Sequence, residues 1–158
     1  SYAGGWSEGE ISGGGTATYA DGTVYQGQFA DGLPSGQGVM TYPDGYRYEG
    51  TWAEGLPNGE GAASYPDGAT YLGRFVDGRR EGAGAWTSPD GFSYAGQWRA
   101  GLFHGEGEAR YRNGDVYVGG FAEGRRDGRG VMTYASGEEA SGLWQDDQFR
   151  GEETAARE

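Results

Sequence analysis

The 158 residues contain no cysteine and no lysine, only one histidine, His104, and two methionines. Without cysteine there is neither a disulfide nor a thiolate metal site, and the redox compartment stays open. His104 has no His or Cys company at metal-ligand spacing, and no arrangement of nucleophile and base surrounds it, so it reads as an exposed turn residue. The chain is expected to be non-enzymatic, with no metal and no cofactor. Long apolar runs are missing too: none approaches a membrane span or a signal-peptide core. The chain is therefore expected to be soluble. A signal could precede Ser1, and the chain reads as a possible fragment of a longer protein, so its compartment is unknown. Cations are scarce. The net charge is -12 and every basic residue is an arginine. Residues 1–70 hold only Arg47 against nine acids. Such a field repels nucleic acid and disfavours an anionic membrane, because both are bound by neutralising phosphates.

Glycine, by contrast, is abundant, at 35 residues. It is not filler. Tyr2, Tyr25, Tyr48, Tyr71, Tyr94 and Tyr117 recur at a spacing of 23. A Gly follows each by two positions and a Trp or Phe by four: Trp6, Phe29, Trp52, Phe75, Trp98, Phe121. Of the 35 glycines, 32 fall in the same few slots of this unit, leaving Gly5, Gly14 and Gly120 outside. A fixed period in this range marks a repeat architecture.

Inside a unit the pattern has period two. In Tyr48-Glu49-Gly50-Thr51-Trp52 the rings and glycine share one face, and in Gly59 to Tyr65 glycine, alanine and tyrosine do the same. Both read as antiparallel strands. Pro43-Asp44-Gly45, Pro66-Asp67-Gly68 and Pro89-Asp90-Gly91 suit a type I turn closed by a glycine bulge. Asp21, Asp44, Asp67 and Asp90 are thus turn formers and not calcium ligands. The other link, as in Ala53 to Asn58, reads as a longer loop. The expected fold is all-β: an elongated, twisted single antiparallel sheet of stacked hairpins, roughly 13 or 14 strands. Its rings should lie flat where the neighbouring strand lacks a Cβ.

The stretch YEGTWAEGLPNGEGAASYPDG resembles the MORN (membrane occupation and recognition nexus) repeat. The likeness covers residues 2–139 as six units (2–24, 25–47, 48–70, 71–93, 94–116, 117–139). Residues 140–158 form a degenerate seventh unit, Ala140 to Trp144 onward, and a polar C-terminal cap or tail. The resemblance implies an aromatic-lined concave groove used as an interaction or assembly module, in several members around a helix.

Trp6, Tyr46, Trp52, Trp86, Phe92, Trp98 and Trp144 are the candidate groove residues, since large exposed aromatic surface marks interaction sites. The expected partner is a protein: an apolar helix, or a second copy of the chain paired through a terminal repeat edge. Two alternatives stand beside it. One is a lipid or membrane-surface adaptor acting through Arg79, Arg80, Arg125 and Arg126, read as part of the row of longer turns with Leu33-Pro34, Leu56-Pro57 and Leu102-Phe103. The other is carbohydrate binding by ring stacking.

Overall fold

The computed structural model describes residues 1–152. The expected tail beyond Glu152 lies outside the described residues. Fourteen strands follow one another in chain order in an antiparallel sheet. They are β1 Tyr2–Ser7, β2 Glu10–Thr18, β3 Val24–Ala30, β4 Leu33–Thr41, β5 Arg47–Ala53, β6 Leu56–Ser64 and β7 Thr70–Val76. Then come β8 Arg79–Thr87, β9 Ser93–Arg99, β10 Leu102–Arg110, β11 Val116–Ala122, β12 Arg125–Thr133, β13 Glu139–Gln145 and β14 Gln148–Gly151. Among the described residues no helix is long and apolar enough to cross a membrane. The chain forms two compact units, Ser1–Arg80 and Glu81–Glu158.

In the first unit a stripe of glycine runs across the strands, pairing Gly27 with Gly38, Gly38 with Gly50, Gly50 with Gly61 and Gly61 with Gly73. The reason is steric. The Tyr48 ring lies across Gly61, where an added Cβ would come within 2.5 Å of Cε2 and 2.6 Å of Cζ. The Tyr48 hydroxyl then donates to the Thr51 carbonyl at 2.9 Å. Tyr25 and Tyr71 donate in the same way to the Gln28 and Arg74 carbonyls. Each of these rings is 0 or 1% exposed.

Rings also knit one repeat to the next. Tyr48 meets Trp52 of its own strand edge-to-face at 5.1 Å and Phe75 of the next repeat at 4.9 Å. Tyr25 does likewise with Phe29 and Trp52. Burying each such ring stabilises by about 2 kcal/mol, with up to ~1 kcal/mol more per edge-to-face pair. A single layer thus holds a core on one face only.

The second unit repeats the plan. Gly84, Gly96, Gly107, Gly119, Gly130 and Gly142 pair in sequence. Tyr94 donates to the Gln97 carbonyl and Tyr117 to the Gly120 carbonyl. Tyr94 contacts Trp98 and Phe121, and Tyr117 contacts Phe121 and Trp144.

The two kinds of link differ from each other as expected, but one differs from its expected form. Tyr42 donates its N–H to the Tyr46 carbonyl, and Gly45 donates to the Tyr42 carbonyl, which is the type I turn with a glycine bulge. The Asp44 carboxylate accepts the Tyr46 N–H at 2.9 Å and locks that turn. The other link is no long loop. Glu54 at φ 49° and Gly55 at φ 83° make a two-residue turn of the primed type, and Leu56 and Pro57 already belong to β6. A primed turn matches the right-handed strand twist, and it only needs both residues left-handed. The extra residues are absorbed as a bulge between the Gly50–Gly61 and Trp52–Pro57 pairs.

Candidate functional site

This link correction moves the arginine pairs. Arg79-Arg80 and Arg125-Arg126 open β8 and β12, so they are not turn residues. Side chains alternate along a strand, so each pair is divided between the two faces. The Arg126 guanidinium lies 5.0 Å from the Trp144 ring and 5.6 Å from that of Tyr111. It also donates to the Asp147 carbonyl at 2.9 Å. Arg80 lies 5.8 Å from the Tyr65 ring and 6.0 Å from that of Tyr71. Arg79 and Arg125 are exposed, the latter 3.9 Å from Asp146. His104 likewise sits within β10 and not in a turn. Among the described residues no group of three His, Cys, Asp or Glu side chains is placed to hold a metal ion.

The seven aromatic candidates fall into separate layers. Trp52, Trp98 and Trp144 are covered by the chain itself, at 3, 4 and 5% exposed. Their indole N–H groups donate inward to the carbonyls of Gly38, Gly84 and Gly130. Trp6 is 63% exposed, and its ring meets Tyr2 edge-to-face at 5.4 Å. Tyr46, Trp86 and Phe92 are half-buried. They belong to an outer layer: Trp86 lies 6.4 Å from the buried Trp98 ring, and Tyr46 and Phe92 lie among other half-buried rings.

In the first unit that outer layer is a row of tyrosines at the type I turn edge. Tyr19, Tyr42 and Tyr65 each precede a turn, one per repeat. Tyr46 stands between two of them, 5.3 Å from Tyr42 and 5.2 Å from Tyr65, with rings tilted by 41° and 50°. Tyr42, Tyr46 and Tyr65 are half-buried and Tyr19 is 42% exposed. In the preceding repeat Thr23 occupies the slot of Tyr46. The missing ring leaves a shallow hollow of about 440 Å³ lined by Tyr19, Ala20, Asp21, Thr23, Met40 and Tyr42. Burial pushes the hydroxyls of Tyr19, Tyr42, Tyr46 and Tyr65 above the ordinary phenol range; for Tyr65, Arg80 pulls the other way. They are neutral at physiological pH, each offering an apolar plate with one polar tip.

The sequence pattern marks Tyr46 but does not single out Tyr19, Tyr42 and Tyr65. The signal that separates them is position: a residue next to a turn has a neighbouring strand on fewer sides. In the second unit the outer layer is Phe92, Phe103 and Tyr111. Phe103 stacks on Tyr94 at 4.0 Å and 16°, and Phe92 lies 5.9 Å from Phe103 and 5.6 Å from Tyr111. Trp86 turns its indole N–H to the Ser88 hydroxyl at 2.8 Å, so these two side chains together fill the slot that Tyr holds in the other repeats.

Comparison with known proteins agrees with this geometry. Among curated proteins none matches the chain. Among solved structures the chain is similar to the SAS-4 (dCPAP) TCP domain of Drosophila melanogaster, solved in complex with a proline-rich motif of Ana2 (dSTIL). The TM-score is 0.52 at 15% identity, covering 83% of this chain and 73% of that one. This likeness concerns the fold alone. The MORN repeat pattern matches residues 2–24, 25–45, 48–70, 71–93, 94–116 and 117–139, in step with the tyrosine nests and both kinds of turn. With its glycine stripe, nested tyrosines and paired hairpins all accounted for by that unit, the chain belongs to the MORN repeat family.

Proposed function

We propose that this chain is a non-enzymatic scaffold that holds an apolar segment of a protein partner against the outer tyrosines of its first unit. The observation that carries the reading is the half-open Tyr42–Tyr46–Tyr65 row. Inner rings such as Trp52 are used up by packing, whereas Tyr42, Tyr46 and Tyr65 are half-buried and keep part of their surface open. Tilted plates of this kind suit proline rings, which bring little conformational entropy to lose. The TCP domain named above was solved with a proline-rich motif, and we carry that chemistry to this chain. An apolar helix and a second copy of the chain are the competing occupants.

The lipid reading is weakened because Arg80 and Arg126 rest on rings of the same face. Sugar stacking has no further observation in its favour. The test is calorimetric titration of the intact chain with a proline-rich peptide and, separately, an amphipathic helical peptide. Tyr42→Ser with Tyr65→Ser should remove binding of the favoured peptide while circular dichroism stays unchanged. Undiminished binding by that variant would refute the assignment.

A further inference from the structure

We infer that the first unit reads a basic peptide in the polyproline II conformation, lying across the strands, with proline and arginine or lysine recurring every third residue. This rests on the tyrosine row just proposed as a docking site, and adds the ligand's period and charge.

The period comes from the spacing of the repeats. Successive turn-edge tyrosines are separated by two strands, about 9.6 Å along the sheet at ~4.8 Å per strand. A polyproline II helix rises about 3.1 Å per residue with three residues per turn, so one turn advances ~9.3 Å. Its same face therefore returns at each repeat. An α-helix advances ~5.4 Å per turn, which puts the repeat distance at about 6.4 residues and lets the face drift. An extended strand covers the distance in three residues, but alternation turns every third side chain to the opposite side. Only the three-residue helix meets Tyr19, Tyr42 and Tyr65 in phase.

The charge comes from the turns themselves. Two residues beyond each of these tyrosines stands an exposed aspartate: Asp21, Asp44 and Asp67. Each carboxylate accepts a backbone N–H at 2.9 Å, from Thr23, Tyr46 and Ala69. The carboxylates are therefore held at the same period as the rings. The hydrogen bond from the Thr23 N–H holds the Asp21 carboxyl below its ordinary range, so it stays ionised. The surroundings add to this, since the first unit carries ten acids against Arg47, Arg74, Arg79 and Arg80. A ligand that sets prolines on the tyrosines and a cation beside each aspartate satisfies both rows at once.

The chain itself supplies the control. Asn113 fills the slot of these aspartates in a later repeat, and its side-chain oxygen accepts the Asp115 N–H at 2.9 Å. Asparagine thus keeps the turn without the charge. The experiment titrates the intact chain, and its D21N/D44N/D67N variant, with two nonapeptides of one composition. One is Pro-Pro-Arg three times over; the other has its three arginines together at one end. The wild-type chain should bind the in-phase peptide on the order of tenfold more tightly, from three exposed ion pairs. The triple variant should bind both alike. Equal affinity for the two peptides on the wild-type chain, or no change in the triple variant, overturns the inference. If both peptides bind equally and Tyr42→Ser abolishes both, the docking site survives and only period and charge fall. If neither peptide binds, both readings fall.

Discussion

Replacing Gly61 with alanine isolates the nest that the whole fold repeats. Gly61 lies outside the left-handed region, so a methyl group there brings no backbone strain. The three nearest atoms that a methyl group there would meet all belong to the Tyr48 side chain, with Cε2 at 2.5 Å. If the ring stays, overpacking costs about 1–3 kcal/mol. If it leaves, a fully buried ring is exposed at about 2 kcal/mol, and its hydrogen bond to Thr51 goes with it at ~1 kcal/mol. Removing a glycine from the unfolded chain returns roughly 0.5–1 kcal/mol. The net loss should be about 2 kcal/mol, read from urea unfolding followed by tryptophan fluorescence. A double-mutant cycle makes the cause explicit. In a Tyr48→Leu background, which lacks the atoms that collide, Gly61→Ala should cost close to nothing. A loss below ~0.5 kcal/mol, or the same loss in both backgrounds, refutes the nest.

Three other outcomes follow from the geometry. Trp52→Ala should destabilise by about 3–5 kcal/mol in the same unfolding experiment, because the indole is core and not contact surface. Burial pushes the hydroxyls of Tyr25, Tyr48, Tyr71, Tyr94 and Tyr117 up to about 12. Unfolded tyrosine ionises near pH 10, so between about pH 10 and 12 the folded chain holds more protons than the unfolded one. Stability should be complete below pH 10 and fall as pH rises through that window, seen as unfolding that coincides with phenolate absorbance. Ala100→Asn should stabilise by about 0.5–1 kcal/mol, measured by thermal melting. Alanine there sits at φ 50° in a primed turn, a conformation that asparagine tolerates better.

The repeat and its nests are legible because each ring needs a missing Cβ at a fixed distance along the chain. That demand writes Tyr48, Gly50 and Gly61 into every unit. The primed turn was hidden because Glu54 does not announce a left-handed backbone, and Pro57 suggests a loop. Pro57 is tolerated in β6 because it faces Trp52 beside a bulge, where the ladder is already interrupted. The layering of the rings is illegible for another reason. Alternation assigns Trp52 and Tyr42 to one face but carries no information about depth. Depth is set by how many strands flank a residue, which places Trp52 in the core and Tyr42 at the rim. Arg126 and Trp144 show the same limit, since their contact joins positions in different repeats.

The primed turns also explain how such a chain can change length. Gly55 donates its N–H to the Pro34 carbonyl and Gly78 to the Pro57 carbonyl, so each hairpin is fastened to the one before it by the same bond. Cutting out or duplicating one whole 23-residue module leaves an identical donor facing an identical acceptor. Recombination within the gene can therefore lengthen or shorten this ruler in whole steps without disturbing any register, and a ligand with its own fixed step would gain or lose one foothold each time.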